Sequence, residues 1–299
     1  MVALLSGGTG GAKLARGLLD VADDLVVIAN TGDDVEMYGV HVAPDPDLVT
    51  YWLADEIDER GYGIRGDTWE VMAALERAGV PAWFRLGDRD LAMCLVRTEL
   101  LRQGRPLTEA HAAVVAAMGV EARVLPMCDE PVQTFVRARG EWHPFQEFMI
   151  VLGAQGPVEA VELRGLERAR PSDAVLAVLA EAEAIVIGPS NPVISVGPIL
   201  ALPGMREAVA GSPAPVVAVS PFVGGRAVKG PTEAFCEQAG IELSASGIAG
   251  AYGGLLDGVV ADEEAEAVPT LVVDTLMESR DDRARVAART LEFAGSLAS

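Results

Sequence analysis

Cysteine is scarce in this chain of 299 residues, with three in all. Cys94, Cys128 and Cys236 lie far apart and form no C-x-x-C pair. That spacing excludes a thiolate metal knot or a vicinal redox pair and points to reduced thiols in a cytoplasmic protein. Histidine is equally sparse. His41, His111 and His143 show no metal-ligand spacing, so none is assigned to a metal. Basic residues are in short supply too: 23 Lys and Arg stand against 44 Asp and Glu, a formal net charge of −21. So acidic a surface argues against nucleic acid or an anionic membrane as partner, yet leaves room for a small anion in a locally basic pocket. No apolar run approaches the roughly 20 residues that span a bilayer. The first apolar run ends in glycines within a few residues, which is not the pattern of a secretory signal. No internal repeat or low-complexity tract interrupts the chain.

Half of the residues are hydrophobic. At this length that suffices for one large domain over residues 1–299, or a core with an elaborated lobe. The organising stretch is Ser6-Gly7-Gly8-Thr9-Gly10-Gly11-Ala12-Lys13-Leu14, placed after the apolar run Val2–Leu5 and before helical spacing of Leu14, Leu18 and Leu19. This reads as strand, tight loop, helix. Backbone N–H groups of such a loop converge on an anion at the helix N-terminus, where the dipole also favours negative charge. Gly7, Gly8, Thr9, Gly10 and Gly11 are therefore candidate phosphate binders, with Lys13 as a full charge in the first turn. The loop is not a Walker A motif, because Lys13 follows Ala12 and Leu14 stands where a Ser or Thr would hold magnesium. Nor is it a complete dinucleotide fingerprint, since Lys13 replaces the third glycine. A plain glycine turn remains the other reading.

A second strand, Leu25–Ala29, ends in Asn30-Thr31-Gly32-Asp33-Asp34. Two successive βα units indicate an α/β fold with a doubly wound, mostly parallel sheet, its ligands beyond the strand carboxyl ends. Asp33 lies where a dinucleotide fold places its ribose-binding acid; otherwise Asp33 and Asp34 are turn formers. In Pro44-Asp45-Pro46-Asp47, the two carboxylates would face one metal ion if the segment is extended. Alternatively the segment is an acidic turn, or Asp47 caps a helix starting near Leu48. Residues 48–118 read as an inserted, mainly helical lobe containing a short strand over 82–86. Arg85 on that strand points into a cleft, and Asp88 is a natural cap for the helix that follows. Strands are expected over 121–126, 133–139 and 147–151. Parallel βα logic then resumes with Ala184–Ile187, which ends in the rigid polar loop Gly188-Pro189-Ser190-Asn191-Pro192. Val216–Val219 follows, and its glycine-rich loop carries Arg226 and Lys229 as a second candidate anion site.

Seven segments now stand in one order: SGGTGGAKL from Ser6, NTGDD from Asn30, PDPD from Pro44, LGDRDLA from Leu86, LPMCDE from Leu125, GPSNPVISVGPIL from Gly188 and VSPFVGGRAVKGP from Val219. With them the chain resembles the 2-phospho-L-lactate transferases of coenzyme F420 biosynthesis over roughly residues 2–280. The resemblance implies a Rossmann-like fold and typically a homodimer. It implies an enzyme that joins a phospho-three-carbon acid, from a guanosine diphosphate-linked donor, to the ribityl hydroxyl of the deazaflavin Fo. GMP leaves, and Mg²⁺ is expected. Asp47 and Arg85 match positions that bind Fo, and Asp88 belongs to the same GDRD segment. The chain departs from the family at Ala92-Met93-Cys94, at Pro144 and at Cys128.

Phosphoryl transfer is mostly positioning and charge neutralisation. The expected division of labour gives the diphosphate to the glycine loop, Lys13, Ser190 and Asn191. It gives Mg²⁺ to Asp45 first and Asp33 second, and has Asp45 and Asp47 act together as the catalytic pair that holds the metal and orients the Fo hydroxyl. Two rivals differ in class: a nucleotide-sugar-binding regulator without catalysis, and an NAD-dependent oxidoreductase.

Overall fold

The structure, a computed structural model, describes residues 1–228 and 230–298. The chain opens with β1 (Val2–Ser6), α1 (Gly8–Val21) and β2 (Leu25–Ala29). A hairpin of β3 (Val35–Met37) and β4 (Val40–Val42) leads into α2 (Pro44–Leu53), α3 (Glu70–Arg77), α4 (Asp88–Arg102) and α5 (Leu107–Ala117), and then β5 (Arg123–Pro126). A small antiparallel sheet follows, made of β6 (Gln133–Ala138), β7 (Glu141–Pro144) and β8 (Ala160–Arg164), with α6 (Phe145–Ile150) between the last two. The second half runs α7 (Asp173–Glu181), β9 (Ala184–Ile187), α8 (Gly197–Ala201), α9 (Met205–Ala210) and β10 (Val216–Val219). It continues through the short hairpin β11 (Phe222–Val223) and β12 (Arg226–Ala227), then α10 (Thr232–Ala239), α11 (Ala245–Tyr252), β13 (Gly258–Ala261), β14 (Thr270–Val272) and α12 (Arg280–Leu297).

Seven strands form one parallel sheet in the order β14-β13-β10-β9-β1-β2-β5. The unbroken apolar strands follow from burial on both faces. Ala3, Leu5, Val26, Ile28, Ile185 and Ile187 pack under α7, α8, α9 and α11. Their alternates Leu4, Val27, Val186, Val217 and Val219 pack under α1, α2 and α12. The sheet grows outward from β1 through β2 to β5, and the chain then crosses back to place β9 on the other side of β1. The strand order therefore reverses between β1 and β9, and the loops after these two strands part to open a crevice, the place where open α/β sheets bind ligands.

Between β2 and β5, α2 and α5 pack near the sheet, with Val49, Leu53 and Val115 in its core. The hairpin β3–β4, α3, the segment around Phe84 and α4 instead share a separate small core of Val40, Val42, Met72, Ala82, Phe84, Leu86 and Cys94. Residues 82–86 form no strand; they cross this core as an irregular segment. Residues 145–150 are helix α6, not strand: Phe145 and Phe148 pack against Phe235 of α10, at ring-centroid distances of 6.4 and 6.0 Å. All three cysteines are free and buried. Among the described residues, no helix is long and apolar enough to cross a membrane.

Candidate active site

The floor of the crevice is two loops locked together. Gly188 N–H donates to Leu5 O at 2.9 Å, and Gly11 N–H donates to Ser190 Oγ at 2.9 Å. A Cβ on Gly10 would run into the Pro189 carbonyl, and one on Gly7 into the Ser195 backbone. The glycines are thus needed for loop-on-loop packing, whatever the loop binds. Gly8 begins α1 with a left-handed φ of +63°. Gly8, Thr9, Gly10 and Lys13 line the cleft together with Ser190 and Asn191, whereas Gly7 and Gly11 lie behind it.

Asp45 binds the floor from the side. Its Oδ1 accepts from Gly8 N–H at 2.7 Å, and its Oδ2 accepts from Asn30 Nδ2 at 2.9 Å. Asn30 Oδ1 in turn accepts from Gly32 N–H at 2.8 Å, which ties the loop after β2 to the same point. Asp33, from that loop, is buried beside Asp45. Burial and the charges of Asp45 and Asp34 hold the Asp33 carboxyl well above the usual carboxylate range. Burial likewise pushes Asp45 up to about 6, against the hydrogen bonds of Asn30 and Gly8.

Asp45 and Asp47 do not lie on an extended segment. They stand in the first turn of α2, and residues two apart on a helix point in different directions. Asp47 turns instead to Arg97 of α4, which is fully buried and grips it with two bonds, Nη1–Oδ1 at 2.6 Å and Nη2–Oδ2 at 2.8 Å. Arg97 Nη2 also donates to His41 O at 3.0 Å. Asp47 still borders the cleft. Sequence periodicity carries no signal for Arg97, which sits in a helix without an amphipathic stripe.

Arg85 borders the cleft from the lobe, half-exposed, paired with Glu76 at 3.0 Å and lying 5.4 Å from the Trp69 ring centre. Asp88 does not line it. Its carboxylate accepts from Thr68 Oγ1 at 2.6 Å and from the N–H groups of Glu70 and Val71 at 3.0 Å, capping α3 and not its own helix. Asp67 returns the exchange by accepting from Arg89 N–H at 2.8 Å and Asp90 N–H at 3.0 Å, at the start of α4. The GDRD residues that do line the cleft are Gly87 and Asp90, and Asp90 Oδ1 accepts from Tyr51 Oη at 2.7 Å. Arg226 lies on the β11–β12 hairpin; Lys229 is outside the described residues.

The cleft encloses about 820 Å³ between the two loops, the lobe residues Tyr62, Trp69 and Trp83, and α6. Three polar atoms of residues that line it are buried without a hydrogen-bond partner: Asp33 Oδ1, Asn191 Nδ2 and Thr275 Oγ1. Buried polar groups are normally satisfied, so a ligand that accepts from Asn191 and a cation that faces Asp33 are what this wall lacks. Phosphate oxygens and a hard divalent ion meet those needs.

The family described as 2-phospho-L-lactate transferase CofD matches residues 2–293. A phosphoenolpyruvate transferase of Kitasatospora aureofaciens is 41% identical, over 97% of this chain and 98% of its own. A 2-phospho-L-lactate transferase of Methanosarcina mazei is 39% identical over 88% of each chain. The enzyme of that name from Methanopyrus kandleri is 39% identical over 98% of this chain and 97% of its own. Among solved structures, protein BH3568 of Bacillus halodurans aligns over 97% of this chain and 98% of its own with a TM-score of 0.64 at 18% identity, a likeness of fold alone.

Proposed function

The chain belongs to the 2-phospho-L-lactate transferase family, and from that premise we propose that it moves a phosphate bearing a three-carbon acid from a guanosine diphosphate-linked donor to the terminal ribityl hydroxyl of Fo. The product is F420-0 or its dehydro form, and GMP leaves. Membership in a transferase family sets aside the regulator and the oxidoreductase. The observation that carries the finer reading is the set of unpartnered buried atoms on Asp33, Asn191 and Thr275 around one two-ended cleft. The end over the glycine loop suits a diphosphate, and the lobe end, with Trp69, Trp83 and Arg85, suits a flat ring carrying a polyol chain.

Asp33 and Asp45 fit Mg²⁺. They are adjacent buried carboxylates, both shifted upward, and Asp33 Oδ1 has no hydrogen-bond partner. The ion, when bound, neutralises charge on the diphosphate. The chain's own contribution is orientation. With Gly8 N–H held by Asp45 and Gly11 N–H by Ser190, Thr9 and Gly10 supply the N–H groups at the start of α1 for the phosphates, and Asn191, whose Oδ1 is fixed by Val193 N–H at 2.8 Å, turns its amide toward them. Asp47, held by Arg97, borders the path of the ribityl chain.

The named relatives divide between phosphoenolpyruvate and 2-phospho-L-lactate transferases at nearly equal identity, so the proposal covers the acid as a class. Titrating Fo by its fluorescence, then adding each guanosine diphosphate-linked donor and measuring GMP and product mass, tests the reading. Loss of Fo binding, or no GMP with any donor, would overturn it. Asp45→Asn is expected to lower turnover about 100-fold or more at ordinary Mg²⁺ concentration, by analogy with loss of other buried electrostatic groups. Unchanged turnover would remove Asp45 from the metal set. A homodimer in the cytoplasm belongs to the same proposal, and sedimentation of the purified chain checks the dimer.

A further inference from the structure

We infer that Asp90 accepts the proton of the attacking hydroxyl in this transfer, an inference that rests on the reading above. Five carboxylates border the cleft: Asp33, Asp45, Asp47, Asp67 and Asp90. Four have other work. Asp33 and Asp45 face the phosphate loop. Asp47 has both oxygens taken up by the fully buried Arg97 guanidinium. Asp67 is engaged by the N–H groups of Thr68, Arg89 and Asp90. Asp90 is the carboxylate that remains.

Its setting suits the task. Asp90 and Asp47 belong to a cluster with Cys94 whose polar atoms lie within 4.8 Å of one another. Arg97 is already the cation of that cluster, so it makes no case for a further metal. The Tyr51 hydroxyl fixes the Asp90 carboxyl through Oδ1. The charged and titratable groups around it are Asp47 and Tyr51 of α2, Arg97 and Cys94 of α4, and Asp67 of the loop before α3. Burial and then the charge of Asp47 push Asp90 up to about 7, while Tyr51 and Arg97 pull it down. Of the two neighbouring carboxyls, Asp47 is engaged by Arg97 through both oxygens, and Asp90 is left poised to take a proton near neutral pH. In the step itself the O–H bond of the ribityl hydroxyl breaks and its proton passes to Asp90. The oxygen pair forms the new O–P bond, the P–O bond to the GMP moiety breaks, and GMP departs with that electron pair.

The test uses the full chain with Fo, donor and Mg²⁺. Asp90→Asn keeps the shape and can still accept from Tyr51. Its turnover should fall about 100-fold or more, the usual worth of a general base, while Fo still binds, as read by fluorescence. The wild-type rate should rise with pH through about 7, and that limb should vanish in the variant. Turnover near wild type, or a limb that persists in Asp90→Asn, overturns the inference; so does an equal loss of Fo binding, which would make Asp90 a binding group. If Asp90→Asn does not fold, Tyr51→Phe carries the test. Removing the hydroxyl donor should shift the limb to higher pH, and an unmoved limb counts against Asp90. Failure of wild type to bind Fo at all would instead strike the proposed function.

Discussion

At the scale of single residues, buried charge dominates this site. Arg97 and Asp47 are both withdrawn from water and offset that through each other, the His41 carbonyl and the Cys94 sulfur. Breaking such a pair from one side leaves an uncompensated buried charge. Arg97→Met should therefore cost about 3–5 kcal/mol in denaturant unfolding, and adding Asp47→Asn to it should restore part of the loss. An unchanged midpoint in the single variant would show that the pair is solvated in solution. His111 offers a second check. Burial holds its imidazole down at about 4, below the 6.5 of the free group. The unfolded chain binds the proton first on acidification, so His111 contributes stability above about 6.5 that is lost as pH falls toward about 4. The slope is at most about 1.4 kcal/mol per pH unit. Comparing wild type with His111→Gln by urea unfolding across that range isolates it; equal pH dependence in the two would refute the assignment.

At the scale of elements, α3 and α4 cap each other. Asp88, the first residue of α4, receives the free N–H groups of α3, and Asp67, before α3, receives those of α4. Each helix start is thereby closed by a residue about twenty positions away in sequence. Asp88 is held below the usual carboxylate range, first by the Thr68 hydroxyl and then by the Val71 N–H. A depressed acid stabilises above its unfolded value and stops doing so as pH falls through the folded one. Asp88→Ala should lower the melting temperature at neutral pH, and the gap to wild type should close on acidification below about 4, near the ordinary Asp value. A gap that persists in acid would mean the loss is one of packing.

At the scale of the whole molecule, a net charge of −21 bears on the proposed donor, which is itself an anion. Long-range repulsion slows encounter, and salt screens it beyond a Debye length of about 8 Å at physiological strength. With free Mg²⁺ held constant, kcat/KM for the donor should rise from low to moderate salt, the reverse of a polyanion-binding protein. A falling value would point to a local basic funnel strong enough to outweigh the global charge.

Much of this architecture was legible in the order of residues. Val2–Leu5, Leu25–Ala29 and Ala184–Ile187 are apolar without alternation because both sheet faces are covered, and that pattern is local. The glycine loop and the GPSNP loop are likewise read from adjacent residues, as is the place of a cleft beyond the strand ends. What needed the tertiary structure were pairings between distant segments. Extended reach for Asp45 and Asp47 depended on a backbone that Pro44 in fact starts as helix. Asp88 as a cap of its own helix was sound as a local preference but lost to α3, whose N–H groups lie nearer its carboxylate. Arg97 carries no motif, and its importance exists only because α4 folds against α2. The division among the acidic residues was decided the same way. Spacing along the chain points to several carboxylates near the glycine loop. Which is locked by a guanidinium, which faces the loop and which is left to take a proton depends on burial and neighbours, quantities that only the folded chain possesses.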